Sequence, residues 1–181
     1  DGSRFLKEMA MKTAIVVIDM QNDFVTGSLG TREAAEVLPR IRDFLAENAA
    51  SSSPADVFFT QDTHPENYLE TQEGRRLPVP HCIRGSRGWD ICEELKPFAS
   101  ADRTIQKPTF GSLELGSRLK TYDRIIFTGV CTDICVISNA LIAKAAAPET
   151  AIEVKPELCA GTTPENHENA LKALRICQID A

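Results

Sequence analysis

Short apolar segments of strand character alternate with helical segments along most of this chain. The runs AIVVI at 14–18, DVFFT at 56–60 and RIIFT at 124–128 have the length and composition of buried strands. Strands that are apolar throughout, with helices between them, predict a parallel sheet covered on both faces. The pattern therefore predicts a three-layer α/β/α domain of Rossmann-like type.

The individual elements follow from hydrophobic spacing and from Gly and Pro breaks. Predicted strands are Ala14–Ile18, Asp56–Thr60, Thr104–Gln106, Arg124–Thr128 and Ala151–Val154, with Arg175–Ile179 as a candidate sixth. Predicted helices are Thr31–Ala50, Asp90–Leu95, Ser112–Leu119, Thr132–Ala147 and Thr163–Leu174. The segment Asp62–Gly88 is predicted to be a long functional loop. We expect one domain over residues 1–181, with 1–10 a tag or a disordered extension ahead of Met11.

Charge and composition narrow the possible partners and the compartment. The chain has 181 residues and a formal net charge of −6, which argues against nucleic acid or an anionic membrane as a partner. No apolar run approaches a membrane span, and no export signal is visible. The six cysteines are therefore expected to be free thiols in a reducing cytosol, and we expect a cytoplasmic protein.

Three residues of catalytic type lie where strands end. Asp19 follows the first apolar run, Lys107 ends the third strand, and Cys135 lies in the first turn of a helix after the fourth strand. Because ligands of open parallel sheets bind beyond the carboxyl ends of the strands, these side chains are expected to meet. A helix N-terminus lowers the pKa of a thiol and offers free N–H groups to an oxyanion. Cys131, one turn earlier, is the competing candidate nucleophile.

The long loop contains candidate metal ligands. Asp62 and His64 lie two residues apart, and His81 could complete a facial set of three that leaves positions open for water and substrate. Glu73 and Glu66 are further candidate ligands in the same loop. Oxygen and nitrogen ligands suit Zn²⁺, Fe²⁺ or Mn²⁺ and do not separate them, so we expect one such ion per chain.

Taken together, these segments resemble the isochorismatase-like cysteine hydrolases, in particular their metal-containing nicotinamidase branch. The matching segments are IDMQNDF at 18–24, DTH at 62–64, PHCIRGSRG at 80–88, QKPTF at 106–110 and GVCTDICV at 129–136. The resemblance covers most of the chain from Ala14 to Val154. It implies a six-stranded, mostly parallel sheet in the order 3-2-1-4-5-6, and a homodimer or homotetramer.

The resemblance also implies a role for each residue. Asp19 would be the general base, Lys107 the third member of the triad and Cys135 the nucleophile. The Val130–Cys131 peptide bond would be cis, so that the Cys131 and Cys135 N–H groups form the oxyanion hole. The metal ligands would be the set already described, Asp62, His64 and His81, with Glu73 as a further candidate.

The substrate-binding residues depart from that family. Nicotinamidases commonly hold the pyridine ring between two aromatic side chains, and Phe24 matches the first of these. The second would lie at Pro78, with Leu77 beside it, so the ring clamp is half aromatic. The natural substrate therefore need not be nicotinamide.

The leading hypothesis is hydrolysis of a small heteroaromatic carboxamide through a thioester, most simply nicotinamide to nicotinate and ammonia. Hydrolysis of another small amide or an N-carbamoyl compound is the alternative. Isochorismate vinyl-ether hydrolysis would leave the nucleophilic cysteine and the metal set without a use. A non-catalytic metal or thiol redox module, with Cys131 and Cys135 as a pair, would leave Asp19 and Lys107 unexplained.

Overall fold

A computed structural model describes residues 11–181, which form one five-stranded parallel sheet with helices on both faces. The strands are β1 (Thr13–Ile18), β2 (Asp56–Asp62), β3 (Thr104–Lys107), β4 (Arg124–Val130) and β5 (Ala151–Ala160). The helices are α1 (Asn22–Val25), α2 (Arg32–Ala49), α3 (Gln72–Arg76), α4 (Leu113–Leu119), α5 (Ile137–Ala146) and α6 (Pro164–Ile176). Short 3₁₀ helices span Tyr68–Glu70, Glu93–Phe98 and Ala101–Arg103. The extension proposed for residues 1–10 lies outside the described residues.

The sheet has the strand order 3-2-1-4-5, so the predicted three-layer α/β architecture and order are confirmed, but the prediction of six strands is wrong. The segment proposed as the sixth strand, Arg175–Ile179, begins inside α6, which extends to Ile176. Gln178 then takes a left-handed φ of 62°, so the backbone is not extended there. Only an isolated bridge between Asp180 and Glu153 lies at the place of a sixth strand.

Other segments also differ from the sequence prediction in length or type, and the long loop predicted at Asp62–Gly88 contains α3 and a 3₁₀ helix. The helix expected at Asp90–Leu95 is the 3₁₀ helix Glu93–Phe98. The predicted helix Thr132–Ala147 begins with a π-helical turn over Thr132–Val136 before α5. Strand β5 extends to Ala160 through Pro156, which is tolerated because β5 is an edge strand and the missing N–H costs no ladder bond on its open side.

The packing of β1 between β2 and β4 brings the site residues to one edge of the sheet. Both neighbours run parallel to β1, so all three strands end on the same side. Gly129 allows this close approach: its φ is 106°, and a Cβ atom there would lie 2.2 Å from the carbonyl oxygen of Ile18. A side chain at position 129 would therefore push β4 away from β1 at the point where both strands deliver site residues. No helix within residues 11–181 has both the length and the hydropathy needed to cross a membrane.

Candidate active site

Asp19, Lys107 and Cys135 meet at the carboxyl edge of the sheet. Lys107 Nζ lies 2.6 Å from Asp19 Oδ2 and 3.5 Å from Cys135 Sγ. It also donates a hydrogen bond of 3.2 Å to the carbonyl oxygen of Thr109, the second residue after β3. All three side chains are buried, so an amine, a carboxylate and a thiol share one water-poor volume. Such a group can move a proton from the thiol to the carboxylate without solvent.

The backbone at Asp19 aims its carboxylate back across the sheet edge. Asp19 has a φ of 48°, in the left-handed region that aspartate tolerates better than most residues. Thr60, on β2, stabilises this conformation through hydrogen bonds to both the backbone and the side chain of Asp19. Its hydroxyl accepts from the Asp19 N–H at 3.1 Å and donates to Asp19 Oδ1 at 2.6 Å. Thr60 thereby leaves Asp19 Oδ2 facing Lys107.

Burial and mutual charge shift the pKa values of the three groups. Burial raises the pKa of Asp19, while the positive charge of Lys107 opposes that rise. Burial alone would lower the pKa of Lys107, but the nearby Asp19, Cys135 and Asp62 raise it above its usual value. Burial and the Asp19 charge raise the pKa of the Cys135 thiol well above its usual range. The resting site therefore holds a protonated thiol beside an Asp–Lys ion pair.

Cys135 lies in a π-helical turn that begins just after β4. The carbonyl oxygen of Cys131 accepts from the Ile134 N–H at 3.1 Å and from the Val136 N–H at 3.0 Å. The peptide bond between Val130 and Cys131 is cis. Burial raises the pKa of the Cys131 thiol as it does that of Cys135, so the pKa does not separate the two thiols. The Lys107 Nζ contact at 3.5 Å is made with Cys135, and no comparable contact with Cys131 is present among the described residues. Cys135 is thus the better placed of the two thiols for attack.

Four side chains of the long loop and of the end of β2 form a candidate metal site. His64 Nε2 lies 2.9 Å from Asp62 Oδ2 and 3.6 Å from Glu73 Oε1. His81 Nε2 lies 3.5 Å from Asp62 Oδ2 and 3.6 Å from Glu73 Oε1. Ligands held at about 2.1 Å around a tetrahedral ion are roughly 3.4 Å apart, so these separations suit a single ion. Glu66, the other candidate of this loop, is exposed and lies outside the cluster.

The electrostatics of Asp62 fit a ligand for a cation. Burial would raise the pKa of Asp62, but hydrogen bonds with His64 and His81 hold it below its usual range. Its second oxygen, Oδ1, is buried without a hydrogen-bond partner among the described residues and lies 3.7 Å from Lys107 Nζ. The Nδ1–H of His81 can donate to the carbonyl oxygen of Val79 at 2.8 Å, which fixes Nε2 toward the cluster. A divalent cation would therefore find an ionised carboxylate and two oriented imidazoles.

A cavity of about 340 Å³ opens onto both groups. Its lining residues are Phe24, Leu29, Thr31, Asp62, Glu73, Leu77, His81, Phe110, Cys131, Ile134, Cys135 and Thr162. The charged side chains lie at the metal end, and most of the rest of the lining is apolar. No lysine or arginine is among these lining residues. The cavity therefore suits an uncharged substrate with an apolar body and one polar end.

Of the three predicted substrate-binding residues, two line the cavity and one does not. Phe24 and Leu77 line it, with the Phe24 ring 5.5 Å from that of His81 in an edge-to-face arrangement. Pro78 is exposed and is not among the lining residues. Trp89 does not line the cavity either, and its Nε1–H donates to Thr63 at 2.9 Å. The second aromatic side chain of the cavity is instead Phe110.

Sequence reasoning missed four residues that shape the site. Phe110 belongs to the QKPTF segment, and its place in a motif is the signal that could have identified it. Thr60 orients Asp19, as described above. Gln21 is buried and joins the ends of β1 and β2, since it accepts from the Asp62 N–H at 2.8 Å and donates to the Asp62 carbonyl oxygen at 2.9 Å. Asn139, on α5, hydrogen-bonds to the backbone at both Cys135 and Phe110.

Known proteins resemble the chain in sequence. It is 27% identical over 185 residues to a nicotinamidase/pyrazinamidase of Mycobacterium tuberculosis, covering 92% of this chain and 96% of that protein. It is 28% identical over 157 residues to a ureidoacrylate amidohydrolase of Serratia proteamaculans, covering 71% of this chain and 62% of that protein.

Solved structures resemble it in fold. A nicotinamidase from Bacillus subtilis superposes with a TM-score of 0.78 at 26% identity, covering 94% of this chain and 99% of that one. A pyrazinamidase of Pyrococcus horikoshii in complex with zinc has a TM-score of 0.76 at 24% identity, covering 93% and 97%.

These similarities support an amide-hydrolysing enzyme and leave its substrate open. The model of the isochorismatase domain matches residues 13–180, which include every strand and every site residue described above. The chain therefore belongs to the isochorismatase family.

Proposed function

We propose that this protein hydrolyses the carboxamide of a small uncharged heteroaromatic amide, with nicotinamide to nicotinate and ammonia as the first choice. The observation that carries the proposal is the buried ion pair of Asp19 and Lys107 beside the Cys135 thiol, which lines the same cavity as Asp62, Glu73 and His81 of the ligand cluster. The nicotinamidase relatives, at 26–27% identity, support the same reaction.

The first half of the reaction transfers the acyl group to Cys135. Its sulfur attacks the carboxamide carbon while Asp19 accepts the thiol proton, and the raised pKa of buried Asp19 favours this transfer. The backbone N–H groups of Cys131 and Cys135 stabilise the tetrahedral oxyanion. The C–N bond then breaks, and Asp19 returns its proton to the departing amine, which leaves as ammonia. Lys107 keeps Asp19 in place and compensates its charge throughout.

The second half releases the acid. Asp19 takes a proton from a water molecule that attacks the thioester carbon, and the C–S bond breaks. The thiolate of Cys135 then regains a proton from Asp19, which restores the resting state. Asp62, His64, Glu73 and His81 would hold a divalent metal ion, which supplies a Lewis acid that orients substrate and water at this end of the cavity.

The lining of the cavity favours a neutral substrate over an anionic one. Asp62 and Glu73 are the carboxylates of its wall, and no lysine or arginine of the described chain lines it. Away from the metal end, the carboxylate of an amide such as ureidoacrylate would meet an apolar lining with no cationic side chain to pair with, and would lose hydration there. We therefore expect nicotinamide to be hydrolysed faster than ureidoacrylate.

A second candidate is another small amide or N-carbamoyl compound without a carboxylate. It is favoured by Pro78, which is exposed where nicotinamidases commonly have a ring-stacking aromatic side chain. Loss of one stacking partner weakens ring binding by roughly ten-fold at most, because an aromatic pair is worth about 0.5–1.5 kcal/mol.

The test is ammonia release from a panel of amides by purified protein of known metal content. The panel contains nicotinamide, ureidoacrylate and an uncharged N-carbamoyl compound, and the Cys135→Ala variant is the control for contaminating amidase. Ammonia from nicotinamide that disappears with Cys135→Ala supports the proposal. Rapid hydrolysis of ureidoacrylate or the carbamoyl compound, with nicotinamide inert, would refute the heteroaromatic assignment and retain the cysteine mechanism.

A further inference from the structure

The cavity as a whole is larger than a one-ring amide needs. Nicotinamide has nine non-hydrogen atoms, and at a water's roughly 30 Å³ for each of them it would fill at most about 270 Å³. The cavity measures about 340 Å³, so it exceeds even this generous limit. Apart from the metal-cluster side chains and the two cysteines, the lining residues are Phe24, Leu29, Leu77, Phe110 and Ile134, with Thr31 and Thr162 as the polar members. The spare volume is therefore bordered mainly by apolar side chains.

One apolar lining residue of the cavity, Phe110, is fixed to the nucleophile turn by a buried amide. Asn139 Nδ2 donates to the Phe110 carbonyl oxygen at 3.0 Å and to the Cys135 carbonyl oxygen at 2.8 Å. Asn139 Oδ1 accepts from the Ser112 N–H at 2.9 Å, which fixes the backbone on the other side of Phe110. The distance between the Phe110 backbone and the attacking thiol is therefore set by the fold, before a substrate enters.

A second apolar lining residue, Leu77, is fixed in a comparable way. The hydroxyl group of Tyr68 donates to the Leu77 carbonyl oxygen at 2.8 Å. The Tyr68 side chain is itself buried, with its ring 4.8 Å from His64 and 5.0 Å from His81. Leu77 is thus positioned relative to the metal end as Phe110 is positioned relative to Cys135.

Both wall side chains leave apolar surface uncovered. Phe110 is 42% exposed and Leu77 is 39% exposed, although both line a cavity and have a fixed backbone. A preset apolar surface of this kind gains free energy when an apolar group of the ligand covers it, at little cost in ordering the protein.

We propose that Phe110 and Leu77 form a subsite for a second apolar group, so that the preferred substrates are uncharged arene carboxamides larger than a single ring. The inference rests on the proposed function, because it takes the carboxamide to be the group that faces Cys135. It assigns Phe110, rather than a residue near position 78, as the aromatic side chain that determines substrate size. Ring substituents that point away from both the ring nitrogen and the carboxamide are the ones that reach this subsite.

The probes are nicotinamide, 5-methylnicotinamide and 5-phenylnicotinamide, whose substituent is meta to both the ring nitrogen and the carboxamide carbon. Binding is measured calorimetrically with the Cys135→Ala variant, which cannot turn the amides over, and kcat/KM is measured with the unmodified enzyme. We expect 5-phenylnicotinamide to bind about ten-fold more tightly than nicotinamide, because one aromatic contact and its burial are worth about 1.4 kcal/mol. The methyl compound should fall between them.

Phe110→Ala should lower the preference for 5-phenylnicotinamide over nicotinamide about ten-fold, in binding and in kcat/KM alike. Leu141→Ala is the matched control, since Leu141 is 38% exposed but does not line the cavity, and it should leave the preference unchanged. Leu77→Ser provides a second, independent variant if the thermal melt of Phe110→Ala differs from that of the parent.

The outcomes separate the subsite from the reaction. If nicotinamide is hydrolysed and 5-phenylnicotinamide neither binds nor reacts, the subsite is refuted and the proposed function stands. If 5-phenylnicotinamide binds with the expected preference but no amide of the series releases ammonia, the subsite stands and the proposed function fails. Equal loss of preference in the Leu141→Ala control would also refute the assignment to Phe110.

Discussion

Replacing Lys107 by methionine should destabilise the fold as well as stop the reaction. Lys107 Nζ lies 2.6 Å from Asp19 Oδ2, and both side chains are fully buried. At an effective dielectric constant of about 20, two unit charges at this distance attract by roughly 6 kcal/mol. Methionine preserves most of the side-chain volume and removes the charge, so the buried Asp19 carboxylate is left without its partner. Allowing for relaxation and water entry, we expect the free energy of unfolding to fall by about 3–5 kcal/mol at neutral pH.

The pH dependence of this loss has a definite sign. Without Lys107, burial and the Asp62 charge raise the pKa of Asp19 in the folded state with nothing of comparable size to oppose them. A carboxyl group whose folded pKa exceeds its unfolded value binds protons more tightly in the folded state, so stability falls as pH rises through that interval. The variant should therefore be closest to the parent near pH 4, about the pKa of an unfolded aspartate, and furthest from it near neutrality.

The measurement is urea unfolding of parent and variant at matched metal content, at about pH 5 and about pH 8, with circular dichroism as the signal. Lys96→Met is the control, because Lys96 pairs with Glu93 at 2.7 Å on the surface, where solvent screens the two charges, and its loss should change stability little. Adding Asp19→Asn to Lys107→Met should recover part of the loss, since the buried charge is then removed. A loss below about 1 kcal/mol at pH 8, or a loss that grows toward acid, would refute the assignment of a buried ion pair.

Three further predictions concern the reaction and the metal site. Cys135→Ala should abolish turnover with an unchanged circular dichroism spectrum, whereas Cys131→Ala should retain much of the activity, and residual turnover by Cys135→Ala would exclude the thioester route. Elemental analysis should find about one transition-metal ion per chain, and Glu73→Gln should lower metal affinity by about ten-fold or more without unfolding the protein, as judged by its melting temperature. Phe24→Ala should raise the KM for nicotinamide by up to roughly ten-fold, because one ring contact is lost, and an unchanged KM would place the ring elsewhere.

The meeting of the candidate catalytic residues could be predicted from the sequence, because parallel strands end at a common edge of the sheet. Asp19, Lys107 and the turn before Cys135 each follow an apolar run, and the sheet brings the ends of such runs together whatever the connecting loops do. The strand order followed from the family resemblance. The prediction of a sixth strand was wrong for a local reason, since α6 continues through Arg175 and Gln178 takes a left-handed backbone conformation.

For the long segment between β2 and β3, the candidate metal ligands could be predicted from the sequence, but the path of the backbone could not. His64 and His81 come together because the loop folds back, with the His64 N–H donating to the Cys82 carbonyl oxygen at 3.0 Å and the Arg84 N–H to the His64 carbonyl oxygen at 3.0 Å. Histidine and carboxylate residues in a Pro-rich loop indicate a metal site by composition. The pairing that closes the loop depends on backbone contacts about twenty residues apart, which no local periodicity encodes.

The cavity residues proposed to select the substrate were the least predictable part of the site, for a related physical reason. Position 110 is three residues beyond the end of β3, where Pro108 prevents the strand from continuing as a normal ladder, so its direction is not fixed by the sheet. It is fixed instead by Asn139, a polar residue in an otherwise apolar helix face, which no helical pattern marks as part of the site. Breaking the hydrogen bonds of a buried amide costs free energy, so the Asn139 side chain fixes the position of the Phe110 backbone. Substrate selection in this protein is therefore expected to respond to changes at position 139 that leave the side chains of the triad and the metal site untouched.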